Sequence, residues 1–224
     1  MNRPDIFVSV IRHGEFEGPG AGHPNYRNFR ASLGPESRGY PLTENGSNVA
    51  RIVADGIPVL GSEVVITSGY LRTHQTGHIV ADVIGRKTGV RVPVAHTRLL
   101  DPVCMPTHSL SETDYYRFLN QGKGGVAERM FELWADGIGE TPLQVRFRID
   151  RLLSGVNRAV ERGYNPIIVT HASFAGAMYR RLNGVGITRP RDENQILTTC
   201  GSYKLVVRTG KPVGLESYSN QFLS

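Results

Sequence analysis

A short and wholly apolar strand pattern at residues 166–170 constrains the fold of this chain more than any other feature. The run from Pro166 to Thr170 lacks the alternation of a half-exposed strand, and helical patterns stand on both sides of it. Such runs are typical of parallel sheets whose two faces are covered by helices. Strand and helix patterns alternate along most of the 224 residues. They predict an α/β fold, a three-layer α/β/α sandwich with a mostly parallel central sheet.

The same patterns predict where the elements lie. Strands are expected at 5–11, 63–67, 91–96 and 166–170, with a closing hairpin at about 196–200 and 203–208. Helices are expected from Thr43 or a nearby cap to about 55, after an N-cap at Ser68, through about 145–160 and at 174–182. Residues 14–42 are interpreted as a long loop, and about 101–142 as an inserted cap over the site of one domain, 1–224.

Composition limits the class of protein. The chain is 39% hydrophobic and 21% charged, as in ordinary globular proteins, and its net charge of +6 favours anionic partners. The basic residues are dispersed and no nucleic-acid-binding module is visible, so we expect no nucleic acid partner. No signal peptide or membrane span is visible, and there are only two cysteines, which favours a cytoplasmic location. The sequence contains no long heptad repeat, so it does not indicate an oligomeric state.

Polar residues follow the predicted strands at the point where each strand ends. The carboxyl ends of parallel strands meet at one edge of a sheet, where ligands bind in open α/β folds. Helix N-termini point to the same edge and add N–H groups and a dipole suited to an anion. The residues expected to converge there are Arg12 and His13, Ser68 and Arg72, Asp101, and His171.

These residue types suit the transfer of a phosphoryl group. A neutral His13 can attack phosphorus, while Arg12 and Arg72 neutralise the phosphoryl oxygens with bidentate geometry and His171 donates a further N–H. A carboxylic acid must protonate the leaving oxygen and then activate water. Asp101 is the candidate for that role, and the Asp-Pro pair can equally be a simple turn. Glu15 is the rival donor.

The remaining candidates concern the substrate and metals. Glu15, Asn25 and Ser68 are candidate substrate contacts. His74 and His78 stand four residues apart on a predicted helix, a spacing compatible with a metal. No acidic partner on that helix face supports a zinc site, so the sequence predicts no metal site and no other cofactor.

Four motifs, in this order, resemble those of the histidine phosphatase superfamily, which has the phosphoglycerate-mutase-like fold. They cover most of the chain between residue 7 and about residue 182. The motifs are Arg12-His13-Gly14-Glu15, Pro41-Leu42-Thr43-Glu44-Asn45-Gly46, Ser68-Gly69-Tyr70-Leu71-Arg72-Thr73-His74-Gln75-Thr76, and Val169-Thr170-His171-Ala172. The resemblance implies that His13 accepts the phosphoryl group, that Arg12, Arg72 and His171 hold it, and that no metal is needed.

The chain departs from the pattern of that family in three places. Asp101 stands where the family usually has a glutamate donor, and Ala172-Ser173 follow His171 where glycines are usual. The segment after Asp101 lacks the tryptophan- and glycine-containing stretch common in cofactor-dependent phosphoglycerate mutases. We therefore expect a metal-independent phosphatase that hydrolyses a small phosphate monoester through a phosphohistidine. A phosphoglycerate-type phosphomutase and a non-catalytic phosphate-binding module are the alternatives.

Overall fold

The computed structural model describes residues 5–17, 38–103, 113, 140–184, 200–208 and 213–219. Most of the expected loop at 14–42, including Asn25, and most of the expected cap at 101–142 lie outside these residues. Of the helices that the structure describes, none is long and apolar enough to cross a membrane.

Within these residues, strands and helices alternate as the sequence predicts. The strands are β1 (Ile6–Arg12), β2 (Glu63–Thr67), β3 (Val94–His96), β4 (Asn165–Thr170), β5 (Ser202–Val207) and β6 (Gly214–Ser219). The α-helices are α1 (Glu44–Asp55), α2 (Leu71–Thr88), α3 (Pro142–Glu161) and α4 (Ala172–Leu182). A 3₁₀ turn at Arg98–Leu100 follows β3.

One six-stranded sheet carries the fold, in the order β3-β2-β4-β1-β5-β6. The strands β3, β2, β4 and β1 pair in parallel, whereas β5 is antiparallel to β1 and β6 is antiparallel to β5. Arg12 pairs with Thr170 and Thr67 pairs with Val169, so the strands β1, β2 and β4 end at the same level. The residues that follow these three strands are therefore neighbours at one sheet edge.

Helices cover both faces of the sheet, and alternate strand residues enter two separate cores. Val10 and Ile168 pack in the core under α3 and α4. Ile11 and Val169, the next residue of each strand, pack in the core under α1 and α2. All six residues of β4 are buried, as the apolar pattern requires. The predicted three-layer α/β/α sandwich with a mostly parallel sheet is confirmed.

One of the helix N-caps predicted from the sequence is confirmed, and another is not. Thr43 caps α1, since its hydroxyl oxygen accepts a 2.9 Å hydrogen bond from the Gly46 N–H. The prediction that Ser68 caps α2 is wrong, because the helix begins at Leu71 and its N-cap position is Tyr70. Ser68 is thereby left free for a role outside the helix.

Two strand predictions are corrected. The third strand begins at Val94 and not at 91, because Pro93 has no N–H to contribute to the ladder. The closing hairpin pairs β5 with β6, and not 196–200 with 203–208. Cys200 has φ 58°, a left-handed conformation that does not continue an extended strand. Residues 196–199 lie outside the described residues.

Candidate functional site

Two buried histidines and a buried arginine meet at the carboxyl edge of the sheet. His13 follows β1 and His171 follows β4, with ring centroids 5.1 Å apart. Arg72 lies in the first turn of α2, directly after β2 and its turn. All three are almost fully buried, with at most 5% of the surface of any of them exposed. The structure thus brings together three residues that are far apart in the sequence.

One guanidinium group contacts both imidazoles. The Nε of Arg72 donates a 3.2 Å hydrogen bond to Nε2 of His13. A terminal nitrogen of Arg72 lies 3.4 Å from Nδ1 of His171. Since a guanidinium group only donates, both of these imidazole nitrogens face it with a lone pair. The three side chains surround one small polar volume at the end of the sheet.

The backbone fixes the tautomer of His13. Its Nδ1 lies 2.7 Å from the carbonyl oxygen of Gly14, which can only accept, so Nδ1 carries the hydrogen and Nε2 keeps its lone pair. Burial, together with the charges of Arg12 and Arg72, lowers the pKa of His13 well below 6.5. The imidazole is therefore neutral near pH 7, and its lone pair is at Nε2, where it accepts from Arg72.

A chain of hydroxyl groups supports His171. Its Nε2 lies 2.8 Å from Oγ of Ser68, and that oxygen lies 2.7 Å from Oγ1 of Thr73. Thr73 in turn donates a 2.7 Å hydrogen bond to the carbonyl oxygen of Tyr70. Burial and the charges of nearby groups, His13 and Arg72 foremost, lower the pKa of His171 well below 6.5. The sequence suggested Ser68 as a substrate contact, and the structure places its hydroxyl on His171.

Aromatic rings hold Arg72 from two directions. Its guanidinium carbon lies 4.6 Å from the ring centroid of Phe16 and 4.8 Å from that of Tyr70. Such cation–π contacts fix the plane of the guanidinium group. Burial is the main cause that lowers the pKa of Arg72 to about 10, so it stays charged near pH 7.

Arg12 lies at the end of β1, where its backbone N–H bonds to the carbonyl oxygen of Gly201 at 3.0 Å. Its charge lowers the pKa of both His13 and His171, so Arg12 is close enough to influence both imidazoles.

The two candidate carboxylates have different surroundings. Oδ1 of Asp101 accepts a 3.4 Å hydrogen bond from the Gly69 N–H, and Oδ2 lies 3.5 Å from Arg38, with 15% of the side chain exposed. Oε2 of Glu15 instead accepts 3.0 Å hydrogen bonds from Asn45 and from Thr43. These two bonds lower the pKa of Glu15, which favours its ionised form. Asp101 lies beside the turn that precedes α2, whereas Glu15 is tied to the start of α1.

Several residues of the site escaped sequence reasoning. Thr76 accepts a 3.1 Å hydrogen bond from the Gly14 N–H and donates a 2.8 Å bond to the carbonyl oxygen of Arg72. It thereby joins the first turn of α2 to the turn that carries His13. The sequence does contain a pattern that indicates this role. Thr73 and Thr76 are polar residues three positions apart on the buried side of a helix. Asn25 lies outside the described residues.

No cluster of three or more His, Cys, Asp or Glu side chains is placed to hold a metal ion within the described parts of the chain. Cys200 is buried behind the site, and burial raises the pKa of its thiol to about 12, so it remains protonated.

The carboxyl edge of this α/β sheet thus presents His13, His171 and Arg72, with Arg12 next to His13 in the chain. Residues 8–220 match the model of the histidine phosphatase superfamily, branch 1, and the chain belongs to this superfamily. No curated protein matches the sequence.

Solved structures of the same fold include phosphatases and a mutase. A phosphoserine phosphatase mutant from Entamoeba histolytica, in complex with phosphoserine, is 19% identical; 98% of this chain and 100% of that chain are covered, with a TM-score of 0.63. Phosphoglycerate mutase from Bacillus anthracis is 14% identical, with 99% and 95% covered and a TM-score of 0.62. A mycobacterial glucosyl-3-phosphoglycerate phosphatase is 16% identical, with 96% and 99% covered and a TM-score of 0.60. At these identities the likeness concerns the fold.

Proposed function

We propose that this protein is a phosphatase that hydrolyses a small-molecule phosphate monoester through a phosphohistidine at His13. The observation that carries the proposal is the double contact of Arg72, which lies 3.2 Å from Nε2 of His13 and 3.4 Å from Nδ1 of His171. A tetrahedral anion in that position meets a nucleophile, a fixed cation and a second imidazole at once.

His13 is the proposed nucleophile, acting through Nε2. The 2.7 Å contact of Nδ1 with the Gly14 carbonyl oxygen orients the ring and keeps the hydrogen on Nδ1. The lowered pKa keeps the imidazole neutral, so that its lone pair is available near pH 7. The backbone thus prepares the nucleophile without a separate general base.

Arg12, Arg72 and His171 are the proposed phosphate ligands. Two guanidinium groups offer planar pairs of N–H donors to the phosphoryl oxygens, a geometry that lysine does not match. The hydroxyls of Ser68 and Thr73 can rotate, so Ser68 can donate to Nε2 of His171 as well as accept from it. When an anion takes up the N–H groups of Arg72, Ser68 can donate to Nε2 of His171, and Nδ1 of the other tautomer then carries the hydrogen that the anion needs.

Asp101 is the proposed proton donor. In the first step the bond between phosphorus and Nε2 of His13 forms, the bond to the leaving oxygen breaks, and the acid form of Asp101 protonates that oxygen. In the second step the carboxylate takes a proton from water, which attacks phosphorus and releases His13 and phosphate. The position of Asp101 beside Gly69, in the turn that precedes α2, supports this role, whereas Glu15 is tied to Thr43 and Asn45 at the start of α1.

The described rim of the site suits an organic leaving group. The rings of Phe16 and Tyr40 stack with centroids 6.3 Å apart. The guanidinium carbon of Arg38 lies 5.1 Å from the ring centroid of Tyr70. These side chains offer apolar faces and one cation, with 52% of the Arg38 side chain exposed. We propose that substrate specificity lies here and in the segments at 15–40 and 101–142.

The wider expectations from the sequence belong to the same proposal. Residues 1–224 form one domain with a cap at about 101–142, the reaction needs no metal because guanidinium and imidazole groups neutralise the phosphate, and the protein acts in the cytoplasm. Turnover that survives a metal chelator supports the statement that the reaction needs no metal. Turnover abolished by the chelator would contradict it.

Hydrolysis of a chromogenic aryl phosphate tests the function. The wild-type chain should release phosphate, His13→Ala should abolish turnover, and His96→Ala should keep it, since His96 is an exposed histidine at the end of β3. Circular dichroism spectra should show that all three chains fold alike. Equal turnover by the wild type and by His13→Ala would defeat the proposal.

A phosphomutase is the second candidate, favoured by the likeness to the mutase from Bacillus anthracis. It shares the covalent step but returns the phosphoryl group to the substrate. With a phosphoglycerate as substrate, free phosphate supports the phosphatase and an isomerised phosphoglycerate supports the mutase. A non-catalytic module would bind vanadate without turnover of any ester.

A further inference from the structure

A second pair of histidines lies on the outer side of α2, away from the phosphate site. His74 and His78 are exposed, whereas Arg72, Thr73 and Thr76 of the same helix are buried. The Nε2 atoms of the two imidazoles lie 3.3 Å apart, and their ring centroids are 4.4 Å apart. The proposed phosphoryl transfer uses neither residue.

The spacing of the two nitrogens matches that of two ligands on one metal ion. Zinc–histidine bonds are about 2.1 Å long, so two nitrogens 3.3 Å apart subtend an angle of about 105° at the ion. That angle is close to the tetrahedral value. Residues four apart on a helix project side by side, so the helix itself holds the pair in this arrangement.

Both imidazoles are exposed at the surface of α2, so a dissolved ion can reach their nitrogens. A neutral imidazole is the form that binds a metal, because protonation removes the lone pair.

Water and further ligands have access to the pair. A groove of about 660 Å³ begins at His78 and runs between α2 and the segment that leads into β3. Asp82, one turn beyond His78, lines the same groove. An ion held by the two imidazoles can therefore complete its coordination with water on the open side.

We propose that His74 and His78 chelate one divalent transition-metal ion, with water in its remaining positions. This proposal departs from the expectation of no metal site, which was based on the lack of an acidic partner on this helix face; Asp82, one turn beyond His78, is a carboxylate on the same side. The close approach of the two Nε2 atoms is the observation that only the structure supplies. Imidazole ligands suit copper, nickel and zinc, and the general order of stability predicts tighter binding of Cu²⁺ than of Ni²⁺ or Zn²⁺.

This site is independent of the proposed phosphatase reaction. An ion that bridges His74 and His78 joins the first and second turns of α2, and this geometry exists only in the folded helix. The ion should therefore raise the melting temperature, because a ligand that binds only the folded state stabilises it.

Calorimetric titration with Ni²⁺ tests the proposal, with the full chain carrying no histidine tag. The wild type should bind one equivalent, and His74→Ala and His78→Ala should each weaken binding by about tenfold or more, since each removes one of the two ligands. Arg151→Ala, an exposed change on α3, is the matched control and should bind as the wild type does. All variants are first checked for a native circular dichroism spectrum.

The chain has seven histidines, so binding alone does not locate the site. Undiminished affinity in both His74→Ala and His78→Ala, or no binding by the wild type, would overturn the proposal. Aryl phosphatase assays on the same samples keep the two proposals separate, because loss of the metal site leaves His13 and Arg72 in place.

Discussion

Replacing Ser68 by alanine is expected to lower turnover without changing the affinity for substrate. The Ser68 side chain is fully buried, and its hydroxyl lies 2.8 Å from Nε2 of His171 and 2.7 Å from Oγ1 of Thr73. Its hydroxyl is engaged by these two side chains. We therefore expect its effect on the reaction to pass through His171, which makes Ser68 a positioning residue.

The magnitude follows from the hydrogen bond that is lost. When neutral His171 donates from Nδ1 to the charged phosphoryl group, its Nε2 has a lone pair, which accepts a hydrogen bond from the Ser68 hydroxyl. A hydrogen bond to a charged group contributes about 1.5–3 kcal/mol, which corresponds to a decrease in kcat of about ten- to a hundredfold. The folded state should lose about 1 kcal/mol as well, because a buried imidazole nitrogen loses its partner.

Steady-state kinetics with two aryl phosphates that differ in leaving group measure the effect. Ser68→Ala should lower kcat by the same factor for both esters and leave KM unchanged. Ser154→Ala is the control, since Ser154 is exposed on α3 and bonds only to the Asp150 carbonyl oxygen at 2.8 Å. A rise in KM that depends on the leaving group would refute the reasoning, because it would show that Ser68 contacts the substrate.

Two further predictions concern stability. Because burial and nearby charges lower the pKa of His13 and of His171 well below 6.5, the unfolded chain takes up protons below pH 6.5 that the folded chain does not. The free energy of unfolding from urea titrations should therefore fall between about pH 7 and pH 5, and less steeply in His171→Gln; equal slopes would contradict the neutral imidazole. Gly46→Ala should destabilise the fold by about 1–3 kcal/mol, because a Cβ there would overlap the carbonyl oxygen of Glu15. The matched change Gly155→Ala, in α3 with open space around it, should stabilise by about 0.5–1 kcal/mol, and equal effects of the two would argue against the close contact.

The convergence of the site was predictable because it depends on local patterns. The apolar runs of β1, β2 and β4 and the polar residues directly after them are both visible in the sequence. Parallel pairing then places Arg12, His13 and His171 at one edge, and the structure has them there. No knowledge of long-range contacts beyond the sheet type was needed.

The role of Ser68 could not be predicted, because it depends on a partner 103 residues away. The sequence gives a serine just before a helix, and the usual reading of that pattern is a cap. Only the point at which α2 begins, at Leu71, shows that the hydroxyl is turned to His171 instead. The aromatic contacts of Phe16 and Tyr70 with Arg72 likewise depend on the folded structure, so the sequence alone does not predict them.

The prediction of the closing hairpin was wrong for a different reason. The run at 196–200 is more apolar than β6, so periodicity selected it as a strand. β6 pairs on the outer edge of the sheet and needs fewer apolar residues than a central strand. Cys200, the last residue of that run, has a left-handed backbone, and its N–H donates to the carbonyl oxygen of His13 at 3.3 Å.

The most direct test of the account is to trap and locate the covalent intermediate. The full chain would be mixed with a phosphate monoester, quenched in base within one turnover, and the phosphorylated residue located by mass spectrometry and its nitrogen by NMR. We predict phosphorus on Nε2 of His13, because Nδ1 is held by the Gly14 carbonyl oxygen. Ester hydrolysis with no phosphorylated His13, or with phosphorus on Nδ1 or on another residue, would contradict it.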